Sequence, residues 1–297
     1  MHACGHDMNM AALLGASALL KNAKSHWSGT LITLFQPDEE ETGGASAMVT
    51  DGLYSTIPVP DIMLAQHVTP LQAGSVAIRS GPVLLATDAL DVRIFGGPCP
   101  GINPQFCEDP IQIAMKVVSK VQNSVSKEFH STDEVATVAC WGFHGGVPGA
   151  DFVFHADLLL DVKTVKPTVR DKLLPFIKET IEAECIALKS PKAPIIKSRV
   201  RAPLTSNSQS IAEPIRDAFS TFFQSGLLDM EMTKATEDFS ALQGPYGVPY
   251  AYRNFGGTKS KDAEIAVNHS PFYTPEIQPT LQSGTNAMTL AVLTFLC

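Results

Sequence analysis

The chain opens MHACGHD, which sets Cys4, His6 and Asp7 together directly ahead of the apolar, helix-forming stretch NMAALLGASALLKNAK. Thiolate sulfur and imidazole nitrogen are preferred donors for zinc and similar borderline cations, and a nearby aspartate commonly orients such a histidine through its other ring nitrogen. Further donors lie far along the chain. Glu39, Glu40 and Glu41 close the segment LITLFQPDEEE, His67 closes DIMLAQH, and His269 stands in VNHSPFY. Each has a plainer explanation, since acid runs usually make a solvated surface and single histidines often sit satisfied at strand ends or in turns. As a set they supply one sulfur, three imidazoles and at least one carboxylate. That is a first shell for a borderline metal, with donors enough for two ions, and a carboxylate left outside it has the chemistry of a general base toward water.

Such a set needs elements that bring its members to one edge. The first eighty residues read as helix, strand, helix, strand: the N-terminal apolar stretch, GTLITLF, GGASAMVTDGLY and DIMLAQH. This order predicts a mainly parallel sheet with covering helices, and in open sheets of that kind ligands gather outside the carboxyl ends of the strands. From residue 84 the texture changes. LDVRIFG, EVATVACWGF and ADLLLDVKTV read as strands, and DPIQIAMKVVSKVQNSVSKEF and KPTVRDKLLPFIKETIEAECIAL as long helices. The fold class expected is therefore α/β: a metal-binding catalytic domain at 1–83 and 197–297, with an inserted α+β domain at 84–196. The lysine- and proline-rich stretch around 190–203 reads as a connector.

Composition narrows the function classes. A formal charge of -8, with no basic face apparent, argues against nucleic-acid binding. No apolar run is long enough to span a bilayer, and the N-terminus lacks a secretory pattern, so a cytoplasmic protein without membrane contacts is expected. The six cysteines are scattered singly and contain no C-x-x-C pair, which points to free thiols rather than a disulfide framework.

Taken in order, MHACGHD, FQPDEEETGGA, QHVTP, TEDFS, FGGT and NHSPFY resemble the aminoacylase and carboxypeptidase superfamily of zinc hydrolases. They are most similar to its amidohydrolase branch of hippurate hydrolases, N-acyl-amino-acid amidohydrolases and indoleacetyl-amino-acid hydrolases. The resemblance covers the whole chain. It implies two divalent ions, zinc or manganese, held by Cys4, His6, Glu40, His67 and His269, with Cys4 as the bridging ligand. It further implies that Glu39 is the general base and that Asp7 fixes His6 from behind. The reaction implied is hydrolysis of the amide in an N-acyl amino acid or related small amide, and the inserted domain would serve as lid and homodimer contact.

The chain also departs from that family. Relatives carry upstream sequence with an R-A-D-x-D-A-L-P stretch, so the catalytic domain is expected to be incomplete at its N-terminus. In FGGPCPGINPQFCEDP, Pro100 and Gln105 stand where the lid motif has histidines, and Ala150 falls on its asparagine. Proline donates no hydrogen bond, and loss of one oxyanion donor typically lowers turnover by ~10²–10³. Lys163 replaces an arginine, and Asn9 stands where many relatives have histidine. A catalytically impaired metal-binding homologue is therefore the alternative reading, and a metallo-dipeptidase or carboxypeptidase the second.

Overall fold

Apolar spacing starts the fold at the N-terminus. In helix α1 (His6–Asn22), Met8, Ala12, Ala16 and Leu20 recur at helical spacing and are buried along one stripe. Two short helices, α2 (Gly44–Thr50) and α3 (Leu53–Thr56), follow, and then strands β1 (Met63–Gln72), β2 (Val76–Ile78), β3 (Gly81–Leu84) and β4 (Ala86–Phe95). The structure, a computed structural model, describes residues 1–97, 108–129, 135–147, 149, 153–259 and 266–297, without the side chains of 199–201.

The middle of the chain builds a separate layer. Helix α4 (Pro110–Glu128), strands β5 (Ala136–Gly145) and β6 (His155–Thr164), helix α5 (Pro167–Ala187) and strand β7 (Ile195–Ala202) follow in sequence. The strands form an antiparallel sheet in the order β5-β6-β4-β7. Its inner face carries Leu90, Val92, Ile94, Leu158 and Leu160 against Val117 and Val121 of α4 and Leu173 and Ile177 of α5. Full burial of each large aliphatic side chain contributes about 1.5–3 kcal/mol, so this layer has a core of its own. Asp109 caps α4 by accepting from the Ile111 amide at 2.9 Å, ahead of Pro110.

The chain then returns through strand β8 (Thr205–Asn207), helix α6 (Gln209–Phe223), strand β9 (Leu227–Asp229), a 3-10 segment (Phe239–Tyr246), strand β10 (Tyr250–Thr258) and helix α7 (Thr280–Leu296). The site-bearing sheet has the order β1-β10-β2-β9. Pairs β1–β10 and β2–β9 are parallel and β10–β2 is antiparallel, so the sheet is mainly parallel with one antiparallel pair. Every residue of β10 is buried. Helices α1, α6 and α7 cover one face through Ala12, Ile215, Phe219 and Ala287, and α2 with the 3-10 segment covers the other through Ala45, Phe239 and Leu242. Strands β3 and β8 pair with each other where the chain leaves for the second sheet and comes back.

Three sequence expectations fail here. GTLITLF forms no strand, because among the described residues no strand bonds to it; Leu31 and Leu34 instead pack as side chains against the core. The 190–203 stretch is not a plain connector, since β7 joins the second sheet as an edge strand, and the expected boundary at 196 falls inside it. Strand β1 runs on past His67 to Gln72, so His67 lies within the strand rather than at its end. Among the described residues no helix is long and apolar enough to cross a membrane.

Candidate metal centre

Cys4 and His6 reach the site from the turn that starts α1. Gly5 has φ 77°, a left-handed conformation, and a Cβ there would lie 2.4 Å from Val68 Cγ1, so only glycine lets the turn press against β1. Side chains alternate along a strand. Val68 enters the core beneath α1, and His67 therefore faces the opposite side of the sheet. The His67 Nδ1 donates to the Val68 carbonyl at 2.7 Å, which leaves Nε2 as the free lone pair, 3.5 Å from the Cys4 sulfur.

The acid loop descends on the same point. Glu39 Oε2 lies 3.2 Å and Glu40 Oε1 3.8 Å from His6 Nε2. The other Glu40 oxygen is 3.3 Å from His269 Nε2. His269 comes from the far end of the chain with φ 72°, a left-handed conformation in which histidine is among the better-tolerated residues, and its amide donates to the Ala3 carbonyl at 2.8 Å. Beside it, the Asn268 amide donates to the Cys4 and Val68 carbonyls at 3.0 and 3.1 Å.

Two donor triads result. Cys4, His6 and His67 form one, Cys4, Glu40 and His269 the other, and in each the ligand atoms lie within 4.8 Å of one another. Cys4 belongs to both. Glu39 stands against His6 and Glu40 in a third grouping. His6 Nε2 is buried and, among the described residues, makes no hydrogen bond, an arrangement that a cation on that nitrogen would satisfy. The donor set thus fits divalent ions.

The electrostatics follow from crowding. The Cys4 sulfur and, next, the Glu39 carboxylate raise His6 to about 10 against an opposing burial effect, whereas burial lowers His67. Burial, and then the charge of Glu39, lift Glu237 behind the site to about 8.

Of the residues expected from sequence, Cys4, His6, Glu39, Glu40, His67 and His269 converge. Asp7 does not. It is exposed on the first turn of α1, and among the described residues it makes no hydrogen bond to His6. Adjacent helix positions point about 100° apart, so Asp7 favours the helix N-terminus by its charge instead of orienting its neighbour. Asn9 accepts from the Val68 amide at 2.9 Å and so braces β1. Lys163 donates to the Lys234 carbonyl at 3.0 Å and sits 3.8 Å from Asp161. Pro100, Gln105 and Ala150 lie outside the described residues. Sequence reasoning missed Asn268 and Asp238. The first adjoins a proposed ligand, and the second stands in TEDFS, a motif noted without a role.

The model for peptidase family M20/M25/M40 matches residues 1–294. The chain belongs to this family. Within it, the chain is 30% identical over 285 residues to the IAA-amino acid hydrolase ILR1-like 4 of Arabidopsis thaliana, covering 92% of this chain and 62% of that protein. It is 28% identical over 226 residues to the hippurate hydrolase of Campylobacter jejuni, covering 72% of this chain and 54% of that enzyme. The crystal structure of Bacillus subtilis YXEP protein, described as a dinuclear metal binding peptidase from M20 family, shares the fold. Its TM-score is 0.73 at 21% identity, over 99% of this chain and 73% of that one. The chain thus spans somewhat over half the length of the two curated relatives.

Proposed function

We propose that this M20/M25/M40 member is a metal-dependent amidohydrolase that cleaves the amide joining an acyl group to an amino acid. The observation that carries the reading is the Cys4 sulfur shared between two donor triads, with Glu39 beside them. Cys4, His6 and His67 would hold one divalent ion, and Cys4, Glu40 and His269 the other. Zinc and manganese are the two candidates, and the thiolate favours zinc. When bound, the ions polarise the amide carbonyl and offset negative charge growing on its oxygen. Glu39 takes a proton from the attacking water and delivers it to the leaving nitrogen, so one carboxylate serves as base and then as acid. His67 keeps its Nε2 lone pair aimed at the site because its Nδ1 proton is committed to Val68.

The same reading extends to setting. Cys4, Cys140, Cys185 and Cys297 are free, which suits the reducing cytoplasm we propose. Homodimer contacts through the second sheet are supported by Trp141 and Phe143, exposed on its edge strand β5.

The test is hydrolysis of an N-acyl-amino-acid panel with zinc or manganese supplied. Glu39→Gln is expected to lower turnover by about 10²–10⁴ while leaving the ions bound. Bound metal without turnover on any member of the panel would sink the enzyme reading in favour of an impaired homologue.

A further inference from the structure

Asp238 is fully buried, and both its carboxylate oxygens are committed to one short stretch of chain. One accepts from Gln36 Nε2 at 2.5 Å, and the other accepts from the Ala45 amide at 2.9 Å. Gln36 and Ala45 are the two ends of the segment that carries Glu39 and Glu40. Between them the chain doubles back. The Thr42 amide donates to the Glu39 carbonyl at 2.7 Å, and the Gly43 and Gly44 amides both donate to the Asp38 carbonyl at 3.3 Å. Asp38 and Thr42 hold φ of 55° and 54°, left-handed values that aspartate tolerates but that a β-branched threonine adopts only where its surroundings enforce them. A Cβ on Gly44 would fall 1.6 Å from the Pro37 carbonyl oxygen, so the doubled loop has no slack.

We infer that Asp238 is a positioning residue that clips the 36–45 segment shut at both ends and thereby aims Glu40 at its cation and Glu39 at the water. The inference rests on the roles proposed above for those two glutamates. Asp238 touches neither substrate nor ion. It acts by denying the strained loop the freedom to open, and it does so from a segment nearly two hundred positions away, with hydrogen-bond separations of 202 and 193 residues.

Three variants test it: Asp238→Ala, Asp238→Asn and Gln36→Met. Asparagine can still accept from the Ala45 amide and donate to the Gln36 carbonyl oxygen once that amide turns over, whereas alanine loses both ends. Gln36→Met releases one end only and stands in should Asp238→Ala not fold. In the metal-free protein, hydrogen exchange across 38–44 is expected to quicken in Asp238→Ala and to return toward the parent in Asp238→Asn. Calorimetric titration with zinc should show the ion of Glu40 and His269 weakened about 10–100-fold, with the ion of Cys4, His6 and His67 little changed. For turnover, kcat should fall with KM nearly constant. Unchanged exchange across 38–44, or equal weakening of both ions in step with a general loss of stability, overturns the clip. A parent protein that binds no zinc, or a Glu39→Gln variant that keeps its activity, refutes the proposed function instead, and the exchange measurement still decides the clip.

Discussion

Glu237 shows how the site is tuned one residue at a time. Its carboxyl is buried, its Oε1 accepts from the Phe239 amide at 3.2 Å, and Glu39 lies close enough to repel its charge. Raised from 4.5 to about 8, it contributes stability that is fully present below about pH 4.5 and lost as the pH climbs through about 8. His6, raised to about 10, acts in the same direction at higher pH, so the two must be separated by mutation. Denaturant unfolding of the metal-free protein should therefore show a decline from pH 4.5 to 8 that Glu237→Gln flattens; equal slopes in parent and variant would refute the assignment. At this scale the sequence was informative about donors and silent about their supports. Cys4, His6, Glu39, Glu40, His67 and His269 announce themselves because their side-chain chemistry is unusual in those contexts. Asn268 grips two backbone carbonyls and Asp238 a backbone amide and the Gln36 side chain, all far away in sequence, and partners at such distance leave no mark in the residue pattern.

The elements were legible where each carries its own period. Helices α4 and α5 bury Val117, Val121, Leu173 and Ile177 at helical spacing, and that stripe can be read without knowing what covers it. Strands are different, because a strand exists only with a partner. GTLITLF has the composition of a buried strand yet forms no ladder among the described residues, and the stretch at 195–202 forms one at the edge of its sheet, where Lys197 stays exposed. The start of α1 is the element on which the metal centre most depends. Gly5→Ala should destabilise the fold by about 1–2 kcal/mol from its left-handed backbone alone, and the added methyl must also push Val68 aside, dragging His67 with it. Urea unfolding and zinc titration should both register the change, and an unaltered midpoint would show that the turn has room to spare.

Across the described residues, the two four-stranded sheets, each with its own core, are tied through the segment that leads into Asp238. The Thr87 hydroxyl bonds to that of Thr236 at 2.5 Å, the Leu85 amide donates to the Ala235 carbonyl at 3.0 Å, and Lys163 reaches Lys234. These ties join side chains and amides to positions far along the chain, and only the folded register brings them together. The stitches at the other end of the molecule, from Asn268 to Cys4 and from His269 to Ala3, carry a consequence in time. Closing a loop of that size is entropically slow, and local helices can form well before it. The Cys4 sulfur therefore has its second triad only once the polypeptide's distant reaches have met. Zinc uptake during refolding, followed with a fluorescent chelator, should lag the recovery of helical signal. Capture of both ions ahead of tertiary structure would mean that the cations gather the chain, and not the reverse.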